Sequence, residues 1–138
     1  MMHSLAQTNV GEILPEIHFG PITRTMLALY AGASGDHNPA HIDLDFAKAA
    51  GLPDVFAHGM LSFGGLAQVV TRWCGRDRMR SFGARFLAIV EVHELLTCTG
   101  LVTERFEEAG ETLVRVTVAA TTRSASPALT GEALICVS

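Results

Sequence analysis

The sequence predicts an α+β domain in which an antiparallel sheet packs on one central helix, and three observations carry that prediction. Residues 111–122 put Val114, Val116 and Val118 on one face and Arg115 and Thr117 on the other, the period-2 pattern of a half-buried strand. Residues 59–75 are apolar on every helical face, with Met60, Phe63, Ala67, Val70 and Cys74 on one stripe and Leu61, Leu66, Val69 and Trp73 on others, as expected of a buried helix. The chain also changes character once, from a turn-rich, partly helical first half to a strand-like second half, an order that fits a helix laid on one face of a sheet.

Taken in order, residues 23–33 predict a short amphipathic helix, with Thr23 as its N-cap and Met26, Leu27, Leu29 and Tyr30 as its apolar positions. Asn38-Pro39 and Leu52-Pro53-Asp54 are turn signals, and residues 45–50 form a second helical turn closed by Gly51. Inside the long apolar helix, Gly64 and Gly65 should each cost about 1 kcal/mol relative to Ala, which is tolerable if something packs close to the backbone there. Residues 85–91, 95–106, 111–122 and 128–137 are strands of a meander, with hairpin tips at Ala109-Gly110 and at residues 124–127.

The 138 residues amount to a single domain, read as 1–138, with no repeat or linker. Apolar residues make up 49% and charged ones only 17%, against the ~25% charge usual in globular chains. A chain this short buries only about two thirds of its unfolded surface, so the apolar excess predicts an oligomer interface, an internal tunnel for an apolar ligand, or both. Disorder is excluded by the hydropathy, and no stretch approaches the ~20 apolar residues of a membrane span. Residues 1–12 have no basic n-region or apolar run, so no secretory signal is expected. Cys74, Cys98 and Cys136 are odd in number and widely spaced, which predicts reduced thiols and a cytoplasmic protein. The net charge of −4 argues against a nucleic-acid partner.

The densest group of titratable side chains is Ser34-Gly35-Asp36-His37-Asn38-Pro39-Ala40-His41. Asp36 and His41 suit acid–base work, since an imidazole gives and takes protons near neutrality and a carboxylate can orient or share them. On a regular helix they would diverge, but Asn38 before Pro39 is pushed to an extended conformation, so the chain can fold both side chains into one pocket. From these residues alone an exposed polar loop is the favoured reading. His37 and His41 have helical metal-ligand spacing, but Pro39 between them disfavours a continuous helix, so no metal is expected. Ala57-His58-Gly59-Met60 opens the apolar helix, where unpaired N–H groups and the positive dipole end could stabilise an oxyanion at Gly59; a tight turn is the alternative for Gly59, and a buried, hydrogen-bonded role is favoured for His58. Arg72, Arg76, Arg78, Arg80 and Arg85 crowd the end of the helix, either as helix-terminal cations or as a landing site for phosphates or an acidic protein.

As a whole, Gly35-Asp36-His37-Asn38-Pro39-Ala40-His41 with the downstream Ala57-His58-Gly59-Met60 resembles the MaoC-like family of (R)-specific enoyl-CoA hydratases and (3R)-hydroxyacyl-ACP dehydratases. The resemblance covers nearly the whole chain. It implies a single hot-dog fold, an antiparallel sheet wrapped around a long central helix, with an N-terminal helical and loop overhang carrying the motif, and two such units normally paired as a dimer. Carried over by residue, it implies Asp36 and His41 as the catalytic pair, Gly59 N–H as the thioester oxyanion donor and Asn38 as an orienting residue. Met60, Phe63 and Arg85 are the further substrate-binding candidates, with Leu66 and Val69 beside the expected acyl tunnel. The implied substrate is an acyl-CoA or acyl-ACP thioester, and no metal or redox cofactor is needed. One departure is visible: relatives often carry a Pro-Gly-Asp-like turn where this chain has Val90-Glu91-Val92-His93-Glu94.

Overall fold

A computed structural model describes residues 4–138. Five antiparallel strands, β1 (Ile17–Phe19), β2 (Met79–Phe86), β3 (Leu96–Glu108), β4 (Glu111–Thr121) and β5 (Pro127–Cys136), form one sheet in the order β1-β3-β4-β5-β2. Helices α1 (Arg24–Ser34) and α2 (Leu44–Ala49) precede α3 (Gly59–Cys74), which packs against all five strands. This is the α+β, hot-dog arrangement that the sequence implied.

The alternation in β4 does what period-2 patterning requires. Val114, Val116 and Val118 are fully buried against α3, while Arg115 and Thr117 face outward, where Arg115 pairs with Glu104 and Glu132 across both neighbouring strands. The β3–β4 hairpin closes at Ala109-Gly110, both with positive φ (51° and 80°), the backbone that a tight two-residue turn needs. Thr23 caps α1 through a 3.0 Å bond from Met26 N–H to its hydroxyl, and Gly35 ends the helix in the left-handed region at φ 78°.

Three expectations need correction. The strand expected at 85–91 lies instead at Met79–Phe86, so that only Arg85 and Phe86 of the expected span belong to it, and this edge strand β2 pairs with β5 rather than with its sequence neighbour β3. Its alternating Phe82, Ala84 and Phe86 carry the strand pattern, whereas Leu87, Ala88 and Ile89 form an exposed loop. The short strand β1 was unforeseen; it adds to the other sheet edge through Ile17 to Phe19 against Cys98 to Leu96. Finally, α3 is not enclosed on every side within one chain. Ser62, Gly65, Leu66, Val69 and Val70 are buried, but Met60 is 56% exposed and Gly64 is exposed. Of the two helical glycines, only Gly65 answers a packing need, because a Cβ there would stand 2.5 Å from the Phe19 ring.

Between β1 and α3, residues 20–58 lie over the end of the sheet as the overhang. They are pinned to the segment after β2 by Ile22 N–H to Glu94 O (2.8 Å), Ala57 N–H to Val90 O (2.8 Å) and an isolated bridge between Phe56 and Glu91. The departure noted at residues 90–94 therefore anchors the overhang. A bidentate Arg24–Asp54 ion pair ties α1 to the turn before α3, and the guanidinium holds the Asp54 carboxyl below the usual carboxylate range.

Candidate active site

The loop after α1 is built from three side-chain turns in succession. Ser34 Oγ accepts from Asp36 N–H (3.1 Å), Asp36 Oδ1 from Asn38 N–H (3.2 Å) and Asn38 Oδ1 from Ala40 N–H (3.0 Å). Each is a two-residue span of the kind that Ser, Asp and Asn favour over helix. Asn38, with ψ 122° before Pro39, caps a single 3₁₀ turn of Pro39–His41. That turn swings His41 inward to 7% exposure while Asp36 stays at the surface.

As a result, a carboxylate oxygen of Asp36 and one ring nitrogen each of His41 and His58 all lie within 4.8 Å of one another. His41 Nδ1 is 2.7 Å from the Phe56 carbonyl, which can only accept, so Nδ1 carries the hydrogen, and Nε2 has no hydrogen-bond partner among the described residues. Phe56 also meets the His41 ring edge-on at 4.7 Å. On the other side His58 stacks on His41, with ring centroids 4.0 Å apart. His58 is 1% exposed, and burial holds its imidazole below the usual histidine range; the nearby His41 adds to this, while the bond to the Asp36 carbonyl opposes it.

Gly59 is the first residue of α3, where N–H groups lack intrahelical partners. It borders a cavity of about 430 Å³, lined by Phe56, Ala57, Ser62, residues 86–90 and Leu129. A Cβ at Gly59 would stand 3.1 Å from the Phe86 ring, so glycine lets that ring lie against the helix start. Asp36, Asn38, His41 and Gly59 thus gather at one end of α3. Phe63 lies one turn along α3, edge-on to Phe82 at 5.0 Å, and Met60 faces outward. Arg85 is not brought to this cavity: it follows the opposite face of β2 from Phe86 and borders an outer groove with Arg115, Thr117 and Glu132.

Of the remaining arginines, Arg78 binds the carbonyls of Cys136 and Ser138 at 3.1 Å, and Arg80 forms a bidentate pair with Glu111 at 2.6 and 2.9 Å. That pairing lowers the Glu111 carboxyl to about 2. Tyr30, which meets His58 edge-on at 4.8 Å, and Ser62, whose buried hydroxyl has no partner among the described residues, were not singled out for the site from the sequence. Tyr30 stands one residue before the buried Ala31 of α1, and Ser62 one turn after His58, but only the fold brings Tyr30 to the His58 ring and Ser62 to the cavity wall.

Residues 7–124 match the model of the MaoC like domain family. The (R)-specific enoyl-CoA hydratase of Rhodospirillum rubrum is 32% identical over 118 residues, 84% of this chain and 80% of that protein. Fatty acid synthase subunit beta of Aspergillus oryzae is 38% identical over 74 residues, 51% of this chain but only 4% of that subunit, so the chain corresponds to a small part of it. Among solved structures, unliganded R-hydratase PhaJ1 from Pseudomonas aeruginosa is similar with a TM-score of 0.84 and 25% identity, covering 96% of this chain and 83% of that one.

Proposed function

The chain belongs to the MaoC-like domain family, and we propose that it catalyses the reversible, (R)-specific hydration of a trans-2-enoyl-CoA to a (3R)-3-hydroxyacyl-CoA. The observation that carries this reading is the convergence of Asp36 and His41, with His41 Nε2 unpartnered among the described residues, at the start of α3 beside an apolar cavity.

Hydration adds water across C2=C3, the hydroxyl going to C3 and a proton to C2, while negative charge builds on the thioester oxygen. Asp36 and the His41 Nε2 lone pair hold a water; one of them takes its proton as the C3–O bond forms, and the pair returns a proton to C2. Gly59 N–H donates to the thioester oxygen, where the helix dipole favours charge that exists only as the enolate develops. Asn38 sets the 3₁₀ turn that aims His41, so it acts on the pair through the backbone. Run backwards, the same groups dehydrate a 3-hydroxyacyl thioester.

The acyl chain enters the 430 Å³ cavity. Met60, Phe86, Leu87 and Ile89, each at least half exposed, make an apolar surface beside that cavity, and a second copy of the chain covers it. No helix among the described residues is long and apolar enough to cross a membrane, and three free thiols fit a cytoplasmic location.

Loss of the conjugated enoyl absorbance on mixing with crotonyl-CoA and longer enoyl-CoAs tests the reading, and no turnover at any chain length refutes it. The match to a fatty acid synthase subunit favours one second reading, dehydration of (3R)-hydroxyacyl-ACP, which the same assay on the protein carrier separates. Release of free thiol would mark a thioesterase, and binding without turnover an acyl-binding subunit.

A further inference from the structure

We propose that His58 is a positioning residue for the Asp36–His41 pair, holding the main chain of Asp36 with one ring nitrogen and the face of the His41 imidazole with its ring plane. The inference rests on the hydratase reading for what the pair does, and on geometry for what His58 does.

His58 Nε2 lies 3.1 Å from the Asp36 carbonyl oxygen. A carbonyl only accepts, so Nε2 carries the hydrogen, and a neutral ring leaves Nδ1 bare. Nδ1 is buried with no partner among the described residues, as a bare nitrogen without a proton to place would be. His41 has the opposite assignment, Nδ1–H on the Phe56 carbonyl and a bare Nε2. Two stacked imidazoles, 4.0 Å apart and 27° from parallel, are thereby fixed in complementary tautomers by two different main-chain carbonyls. Tyr30 closes the far side of His58 edge-on at 4.8 Å, so the ring has no free rotation.

The titratable groups facing His58 are Asp36 from the loop, His41 from the 3₁₀ turn and Tyr30 from α1. Two imidazoles in van der Waals contact resist double protonation. His58 is the more buried of the two, at 1% exposure against 7%, and burial disfavours its charged form. Among the described residues the exposed Asp36 side chain bonds within the loop, to Asn38 N–H, and the tether from His58 is the long-range bond to its main chain.

The test uses the wild type, His58→Gln, which keeps an amide donor within reach of the Asp36 carbonyl, and His58→Phe, which keeps the ring and loses the donor. Long-range proton–nitrogen NMR at pH 7 reads the tautomers, and circular dichroism confirms folding. The expected result is His58 as Nε2–H and His41 as Nδ1–H, with kcat for crotonyl-CoA down roughly 10-fold or more in His58→Phe at a KM within about threefold of wild type. His58→Gln recovers most of kcat but displaces the pH profile of kcat relative to wild type, which a merely structural role would not do. An Nδ1–H or charged His58, or a folded His58→Phe variant with wild-type kcat, overturns the proposal. If the wild type turns over no enoyl thioester, the hydratase reading fails, and the His58 assignment is decided by the tautomers together with the Asp36 amide and His41 ring shifts in His58→Phe: unmoved shifts overturn it.

Discussion

Replacing Gly65 with Ala sets two opposing effects against each other at one site. Helix propensity alone favours the change by about 1 kcal/mol, since Gly is the poorer helix former. The new Cβ, however, would stand 2.5, 2.6 and 2.9 Å from Cγ, Cδ2 and Cδ1 of Phe19, and real carbon contacts do not come that close. Relief requires the Phe19 ring to move, and Phe19 ends the three-residue edge strand β1 opposite Leu96, so β1 must shift from the sheet or from α3. Overpacking of this kind costs about 1–3 kcal/mol. The net effect of Gly65→Ala is therefore a loss of about 0–2 kcal/mol, or up to roughly 8 °C in Tm for a chain of this length. In a Phe19→Ala background the obstruction is gone, and Gly65→Ala should stabilise by about 1 kcal/mol, which makes the coupling between the two positions about 1–3 kcal/mol. Thermal melts of the four proteins at one fixed concentration measure that coupling. An increase in Tm for Gly65→Ala in the wild-type background would refute the packing argument.

Two further outcomes follow from buried polar groups. His58 has a folded pKa below the ~6.5 of a free histidine, so the unfolded chain binds the extra proton first; stability is full above about pH 6.5 and falls as pH drops toward the folded pKa. Chemical denaturation between pH 7.5 and 5 should show that decline in the wild type and a flatter profile in His58→Phe, and parallel profiles would contradict it. Ser62→Ala removes a buried hydroxyl that has no partner among the described residues, so it should leave stability unchanged or raise it by about 1 kcal/mol. A loss of more than 1 kcal/mol in a melt would mean that the hydroxyl is bonded.

Much of this molecule can be read from local pattern, and the places where reading fails have physical reasons. The Thr23 cap, the β4 alternation and the Ala109-Gly110 turn are local rules, and the fold keeps them. β2 was misplaced because the continuous apolar run 86–90 outweighed the real but weaker alternation of Phe82, Ala84 and Phe86 with Ser81, Gly83 and Arg85; the run serves the cavity and the exposed surface instead. β1 has three residues, too few for any period to register, and exists because the edge of β3 offers partners. Gly64 and Gly65 look alike in sequence, yet only one of them meets a neighbour. At the site, the Asn38-Pro39 turn allowed Asp36 and His41 to share a pocket but fitted an exposed polar loop at least as well, so the pair was singled out through the family resemblance, whereas the stack of His58 on His41 joins residues that no spacing rule connects.

The central claim is that Asp36 and His41 hydrate an enoyl thioester to a single stereoisomer, and chiral analysis of the product from crotonyl-CoA, for wild type and for Asp36→Asn and His41→Ala, tests it most directly. The account predicts (3R)-3-hydroxybutyryl-CoA from the wild type and a fall in turnover of about 100-fold or more in each variant, in line with acid–base contributions of that size. A folded double variant that still produces the (3R) isomer at the wild-type rate, or a wild type that yields the (3S) isomer, would contradict it.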